Sequence, residues 1–253
     1  MKIKSLIKKK VLITGSTRGI GFKIAEKFLE AGADVVITGR SKVDLESAKA
    51  RLVKVFDSSR VSAFSCDFEN LDSVRKLSAK IIELDILICN VGSGAGTTET
   101  IPKPEEFKSS FSTNFLSAYN PAHVFLDKLI LRKGQIIFIS SIVASQLLPA
   151  PIPYTVSKSA LNAFAKAISR ELAPTVRVNL ISPGNILFDG GTWAKKLSFN
   201  KEQVDNYIKD NVPLNRFGTP EEIASIIIFL TSDKGAFICG SNLIIDGGQI
   251  SSL

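Results

Sequence analysis

Seven short, nearly continuous aliphatic runs recur along the chain, each separated from the next by a longer stretch, most of them with helical periodicity. They are Val11–Thr14, Asp34–Thr38, Val61–Ser65, Ile86–Asn90, Gln135–Ser140, Val176–Ser182 and Leu243–Asp246. Ile86-Leu87-Ile88 and Ile136-Ile137-Phe138-Ile139 show no polar alternation, so both faces of those strands are buried, as in a parallel sheet covered by helices. The helical stretches are Ile20–Ala31, Leu45–Phe56, Ser73–Leu84, Pro104–Leu131 with an interruption at Pro121, Tyr154–Leu172 and Pro220–Thr231. Gly32 follows the first of them as a C′ residue. Alternating strands and helices with right-handed crossovers predict an α/β fold, a doubly wound parallel sheet of about seven strands with helices on both faces.

At 253 residues, 45% of them hydrophobic, the chain can bury a large core and reads as one domain over 1–253. One segment, Asn185–Asn211, breaks the alternation with Gly190-Gly191, the single Trp193 and a lysine-rich amphipathic patch. It follows a strand C-terminus, where ligands bind in this architecture, and reads as a substrate lid at about 185–211.

Composition excludes several classes. No apolar run approaches the ~18–20 residues that span a bilayer. The basic start, Met1 to Lys10, runs into a strand and a glycine turn without a small-residue cleavage site, which argues against a secretory signal. Cys66, Cys89 and Cys239 are too few and scattered for a disulfide framework or a metal cage, which fits a reduced cytoplasm and no metal. His123 has no ligand-spaced neighbours and reads as a packing or surface residue. The net charge of +8 lacks aromatic interleaving or a recognition helix, so it reads as a solvated face that attracts anionic small molecules, not nucleic acid.

Thr14-Gly15-Ser16-Thr17-Arg18-Gly19-Ile20-Gly21 joins the first strand to the first helix. Glycines there permit a tight turn and close approach of the backbone to a pyrophosphate, and the helix N-terminus supplies N–H donors. The second strand ends at Thr38-Gly39-Arg40 without the acid that ordinarily holds a ribose 2′-hydroxyl ~20 residues beyond such a loop. Arg40 and Arg18 can instead converge on a 2′-phosphate, which predicts NADP(H) over NAD(H).

Tyr154 and Lys158 lie at i and i+4 on one helix face. An ammonium beside the phenol favours the phenolate, lowers its pKa and prepares it for proton transfer to or from an alcohol or carbonyl oxygen.

Together these residues resemble the short-chain dehydrogenase/reductase family, in its single-domain subgroup that includes the 3-oxoacyl-carrier-protein reductases. The likeness covers nearly the whole chain and implies a Rossmann-like fold. It implies a catalytic set of Asn114, Ser141, Tyr154 and Lys158, separated by 27, 13 and 4 residues. By resemblance Tyr154 exchanges the proton, Ser141 hydrogen-bonds the reacting oxygen, Lys158 tunes Tyr154 and holds the nicotinamide ribose, and Asn114 positions a water between Lys158 and solvent. The coenzyme site implied is Gly15, Ser16, Thr17, Arg18, Gly19, Ile20 and Gly21, then Asp67 at the adenine ring with Phe68 beside it, and Asn90 and Gly92, to which the reading above adds Arg40 at the 2′-phosphate. Tyr154, Lys158 and the Pro183-Gly184-x-Ile186 turn complete it. Cys89-Asn90-Val91-Gly92 resembles the family's Asn-Asn-Ala-Gly turn with two of the four positions changed, and Phe188 stands where a Thr is common, so that hydroxyl's contact is lost or moves to Thr192. Ile245-Asp246-Gly247-Gly248 resembles the closing structural turn.

Ser93, Ser145, Gln146, Asn185 and Trp193 are the expected substrate contacts, and Lys195, Lys196 and Lys201 surround the lid. The polar set points to a substrate with hydroxyls as well as a carbonyl, sugar-like or nucleotide-linked. The loop Asn185–Trp193 also resembles reductases of bacterial surface-sugar biosynthesis. The alternatives are a 3-oxoacyl thioester reductase, whose basic surface docks an acidic carrier protein, and a non-catalytic NADP-binding sensor or scaffold. The resemblance further implies a homo-oligomer, tetramer or dimer, built on the helices around Phe107–Leu131 and Tyr154–Leu172, the latter with small Ala160, Ala163 and Ala167.

Overall fold

The computed structural model of the protein describes residues 4–97 and 99–251. The strands are β1 (Lys10–Ile13), β2 (Asp34–Gly39), β3 (Val61–Ser65), β4 (Ile86–Cys89), β5 (Gln135–Ile139), β6 (Arg177–Pro183) and β7 (Asn242–Ile245). All seven pair in parallel in the order β3-β2-β1-β4-β5-β6-β7. The order reverses between β1 and β4. Loops leaving the C-terminal ends of those two strands therefore diverge to opposite faces and open the crevice in which such sheets bind ligands.

The helices are α1 (Gly19–Ala31), α2 (Lys42–Val53), α3 (Leu71–Ser78), α4 (Pro104–Phe111), α5 (Ser117–Val124), α6 (Leu126–Leu131), α7 (Ile152–Glu171), α8 (Thr192–Phe199), α9 (Lys201–Asn211) and α10 (Pro220–Thr231). Ile24, Phe28 and Leu29 of α1 and Ile223, Ile227 and Leu230 of α10 join one core cluster with Val11 and Ile13, while Leu161, Ala165, Phe125 and Leu129 join a second with Leu12 and Leu87. Successive β1 side chains thus enter opposite cores, as the continuous apolar strands predict. At the far end of the sheet the buried Asp85 accepts the Lys10 N–H (2.9 Å) and pairs with Lys9 (2.9 Å) and Arg132 (3.2 Å). Burial pushes its carboxyl up, but these donors outweigh burial and hold it below the usual aspartate range.

Three helical expectations are corrected. The helix expected over Leu45–Phe56 runs over Lys42–Val53, because Ser41 accepts the Asp44 N–H (3.2 Å) and starts it earlier. The helix expected over Ser73–Leu84 starts earlier, because Asn70 accepts the Ser73 N–H (2.9 Å), and stops at Ser78, whose carbonyl, like that of Ile81, takes the Lys128 ammonium. The Pro104–Leu131 stretch breaks around Asn114 and again at Phe125, between α5 and α6, and not at Pro121. Ser112–Leu116 is a π turn, and Pro121 lies inside α5. The Asn114 side-chain amide donates to the Ser110 carbonyl (3.0 Å), the acceptor that the main-chain N–H of residue 114 takes in an α-helix. The amide thereby displaces the local ladder and widens the turn. Among the described residues no helix is long and apolar enough to cross a membrane, and no cluster of three His, Cys, Asp or Glu has metal-site geometry.

Candidate active site

The crevice is built first from its floor. Asn90, leaving β4, donates its side-chain amide to the carbonyls of Thr14 (3.0 Å) and Gly15 (2.9 Å), and its own N–H goes to the Thr14 hydroxyl (2.8 Å). These bonds tie the loop after β1 to β4. Gly15 and Gly19 have φ of +61° and +56°, and a Cβ on Gly21 would lie 2.5 Å from both the Asn90 amide nitrogen and the Gly15 carbonyl. Only glycine fits at that close approach. Ser16 is fully buried and is a strut: its hydroxyl donates to the Ile13 carbonyl (2.9 Å) and accepts the Thr38 N–H (2.8 Å). The loop therefore presents backbone N–H groups at the α1 N-terminus, a cradle that fits a dinucleotide pyrophosphate.

Around this cradle several expected coenzyme residues take unexpected positions. Phe68 is buried in the core, and its carbonyl accepts the amide of the buried Asn120 (2.9 Å). Asp67 is half-buried and accepts the Glu69 N–H (3.1 Å). Arg40 is 74% exposed with a Glu69 oxygen 3.7 Å away, while the Arg18 guanidinium leans towards Gly190, so the two are not drawn together in the ligand-free protein. Thr17 packs its methyl against Gly39. Phe188 lays its ring on the coenzyme loop, where a Cβ on Gly19 would lie 2.5 Å from the ring edge. Thr192 is exposed at the start of α8. On the opposite wall, Ile186 forms a parallel bridge with Gly218 through the flanking Leu187 N–H and Asn185 carbonyl. The N–H and C=O of Ile186 itself consequently point away from the bridge.

The four expected catalytic residues converge at the C-terminal ends of β4 and β5. Ser141 closes β5 and caps a short turn, its hydroxyl accepting the Val143 N–H (3.4 Å). The Ser141 hydroxyl is hydrogen-bonded to that of Tyr154, which stands in the first turn of α7. One turn on, Lys158 is buried and donates to the Ile139 carbonyl (2.8 Å). Asn114 is buried, with its oxygen accepting the Ser93 N–H (2.8 Å). A Cβ on Gly92 would sit 3.1 Å from both the Asn114 oxygen and the Lys158 ammonium, so those two groups flank the same glycine. Gly94 lies over the edge of the Tyr154 ring. Beside Asn114 opens a cavity of about 410 Å³ lined by Ser93, Ser110, Thr113 and Pro151.

The electrostatics correct one expectation. Burial pushes the Tyr154 phenol above its usual range and the Ser141 hydrogen bond only partly reverses this, so the phenol is a neutral proton donor. Burial also pulls the Lys158 ammonium down to about 8, opposed by the neighbouring Cys89 thiol. Lys158 is spent on the Ile139 carbonyl and does not lower the phenol in this state.

The lid segment forms α8 and α9. Trp193 stacks on Tyr207 and packs against Phe217, both with ring centroids 5.4 Å away, and the Lys196 ammonium sits 4.5 Å over the Trp193 ring. Lys201 pairs with Asp205. Of the three lid lysines only Lys195 has neither kind of partner among the described residues. Asn185 donates to the Gln249 side-chain oxygen (2.8 Å), and Ser145 lies 3.5 Å from the Asn242 amide. His123 is an exposed ring stacked on Tyr119, as a surface residue. Sequence reasoning missed Gln249 and Tyr207, because each acts through a contact between segments distant in the chain.

A family model described as enoyl-(acyl carrier protein) reductase matches residues 15–249. The chain is 36% identical to a 3-oxoacyl-[acyl-carrier-protein] reductase of Chlamydia muridarum, covering 96% of this chain and 98% of that one. It is 30% identical to a 3alpha-hydroxysteroid dehydrogenase of Mediterraneibacter gnavus over 97% and 99% of the two chains. Its fold matches the L-sorbose reductase of Gluconobacter frateurii, solved with NADPH and L-sorbose, with a TM-score of 0.90 and 30% identity over 98% of this chain and 99% of that one.

Proposed function

This chain belongs to the short-chain dehydrogenase/reductase family of oxidoreductases acting on carbonyls and alcohols, and on that premise we propose that it is an NADP(H)-dependent reductase of a polar, hydroxyl-bearing carbonyl compound, sugar-like or nucleotide-linked. The observation that carries the substrate class is the polar wall near the Tyr154–Ser141 pair: Ser93 beside Asn114, Ser145 and Gln146 after the Ser141 turn, and Asn185 after β6. A substrate that covers these groups takes their remaining donors and acceptors from water, which favours hydroxylated over apolar substrates. The G. frateurii reductase, on the same fold, binds a ketose.

Arg40 and Arg18 support the choice of coenzyme. Both are exposed at the crevice edge with no carboxylate at positions 38–40, and a 2′-phosphate offers Arg40 a stronger, bidentate partner than the distant Glu69. The bound coenzyme supplies or accepts the hydride. The protein handles the proton. Tyr154, kept neutral by burial, donates its phenolic proton to the carbonyl oxygen while the Ser141 hydroxyl stabilises the charge developing there. Lys158, near 8, carries a proton at pH 7 and gives it up at modest cost, so it can restore the Tyr154 proton. Asn114 links the lysine to the 410 Å³ cavity and its path to water. The segment 185–211 acts as the lid of this single domain.

A second reading, a 3-oxoacyl thioester reductase, is favoured by the 36% identity to the C. muridarum enzyme. The separating experiment measures coenzyme oxidation with acetoacetyl thioesters against a panel of ketoses and oxidised sugar nucleotides, each with NADPH and NADH. Preference for the hydroxylated compounds with NADPH supports the first reading. Activity confined to the thioesters overturns it.

A further inference from the structure

Residues 246–251 fold back against the segments that follow β5 and β6. After β7 the chain turns at Gly247 and Gly248, with φ of +69° and +85°, while the Asp246 carboxylate accepts the N–H of Gly248 (2.9 Å) and of Ile250 (2.8 Å). The turn is wedged between neighbours. A Cβ on Gly184 would lie 2.8 Å from Asp246, and the Gly247 carbonyl accepts the Leu214 N–H (3.1 Å) just past α9.

The Gln249 side chain projects from this turn and joins two walls of the pocket. Its oxygen accepts the Asn185 amide (2.8 Å) and its nitrogen donates to the Tyr207 hydroxyl (3.2 Å). Two residues on, the Ser251 N–H donates to the Gln146 side-chain oxygen (2.8 Å). Every other side-chain hydrogen bond that α8 and α9 make among the described residues stays within five residues of its donor. The Gln249–Tyr207 bond is thus the long-range polar tie of the lid. Tyr207 in turn stacks on Trp193. The result is a connected path from Asn185, next to the Pro183-Gly184 turn, through Gln249 and Tyr207 to Trp193 in the lid.

We infer that Gln249 is a positioning residue for substrate. It fixes which way the Asn185 amide faces and sets the height of the lid above the reacting centre. With the Asn185 nitrogen committed to Gln249, its side-chain oxygen is left as the acceptor for a hydroxyl on the substrate. This rests on the proposed reading of the Asn185–Trp193 region as the substrate wall. Gln249 touches neither the Tyr154–Ser141 pair nor the coenzyme loop. Its loss should therefore weaken the hold on hydroxylated substrate without slowing the chemical step.

The test compares Gln249→Leu, Gln249→Glu and Tyr207→Phe. Gln249→Glu keeps both links, because the Tyr207 hydroxyl can donate to a carboxylate. With the best hydroxylated ketone of the panel and NADPH, Gln249→Leu should raise KM by about tenfold and leave kcat within about twofold, the pattern of lost ground-state binding. Gln249→Glu should behave as wild type, and Tyr207→Phe should show part of the KM effect. A fall in kcat at unchanged KM, or equal damage from Leu and Glu, overturns the inference. A second measurement needs no substrate. Trp193 is the single tryptophan, so acrylamide quenching of its fluorescence reads lid closure directly. Quenching should increase in Gln249→Leu and Tyr207→Phe, stay at the wild-type level in Gln249→Glu, and increase no further in the Tyr207→Phe/Gln249→Leu double variant. Unchanged quenching in Gln249→Leu overturns the bridge, whatever the panel shows. Failure of every hydroxylated ketone with the expected quenching intact counts against the substrate reading, not the bridge.

Discussion

Lys158→Met should make the protein more stable while destroying its activity. The Lys158 side chain is buried, and burial pulls its ammonium from an ordinary value of 10.5 to about 8. That difference corresponds to about 3 kcal/mol of folding free energy spent at pH 7 on keeping the charge inside. Methionine fills a similar volume without the charge. It also leaves the Ile139 carbonyl without its 2.8 Å donor, a loss of about 1 kcal/mol. The net expectation at pH 7 is a gain of about 2 kcal/mol, or roughly 4–8 °C in Tm for a chain of this length. Its pH dependence is distinctive. The folded protein holds the Lys158 proton more weakly than the unfolded chain, so between pH 8 and 10.5 the unfolded state binds more protons and wild-type stability rises with pH. The variant lacks this rise, and its advantage should shrink by about 2 kcal/mol between pH 7 and pH 9.5. Differential scanning fluorimetry of both proteins at the two pH values, with coenzyme oxidation measured in parallel, is the assay. A variant less stable than wild type at pH 7, or an advantage that grows with pH, refutes the assignment of Lys158 as a buried charge held for chemistry.

Other sites give independent expectations. Asp85→Asn should cost about 1–3 kcal/mol near neutral pH, since it removes a buried carboxylate from the Lys9 and Arg132 charges. Asp85 titrates below the usual aspartate range, so its contribution is present above the unfolded pKa and lost as pH falls through the folded one. Urea melts of the two proteins should therefore converge in acid. Arg40→Asp should reverse the coenzyme preference by placing a carboxylate where a ribose 2′-hydroxyl is held, read as kcat/KM for NADPH against NADH. An unchanged ratio removes Arg40 from the 2′-phosphate site.

Much of the fold was legible in the sequence, because a doubly wound sheet buries both faces of its strands and writes them as continuous apolar runs. All seven strands begin and end within one residue of their runs. Where a single side chain decided the outcome, pattern failed. The Asn114 amide took a carbonyl from its own helix and opened a π turn there, and Asn70 started α3 two residues early. At the site, the glycine loop and the Asn114–Ser141–Tyr154–Lys158 spacing named residues that meet in one crevice, yet spacing says nothing of desolvation. It set an ammonium one turn from a phenol. It did not show that burial would raise the phenol and that Lys158 would turn to the Ile139 carbonyl. Phe188 on Gly19, and Gln249 between Asn185 and Tyr207, are contacts across long sequence separations that no local pattern encodes.

The central claim is that Tyr154 is the proton donor of a hydride-transfer site whose coenzyme cradle is independent of its hydroxyl. Tyr154→Phe tests it most directly, with kcat/KM and the NADPH dissociation constant measured on the same preparation. The account predicts a fall in kcat/KM of about 10²–10⁴-fold with NADPH binding within about twofold of wild type. Turnover undiminished in the variant would contradict it.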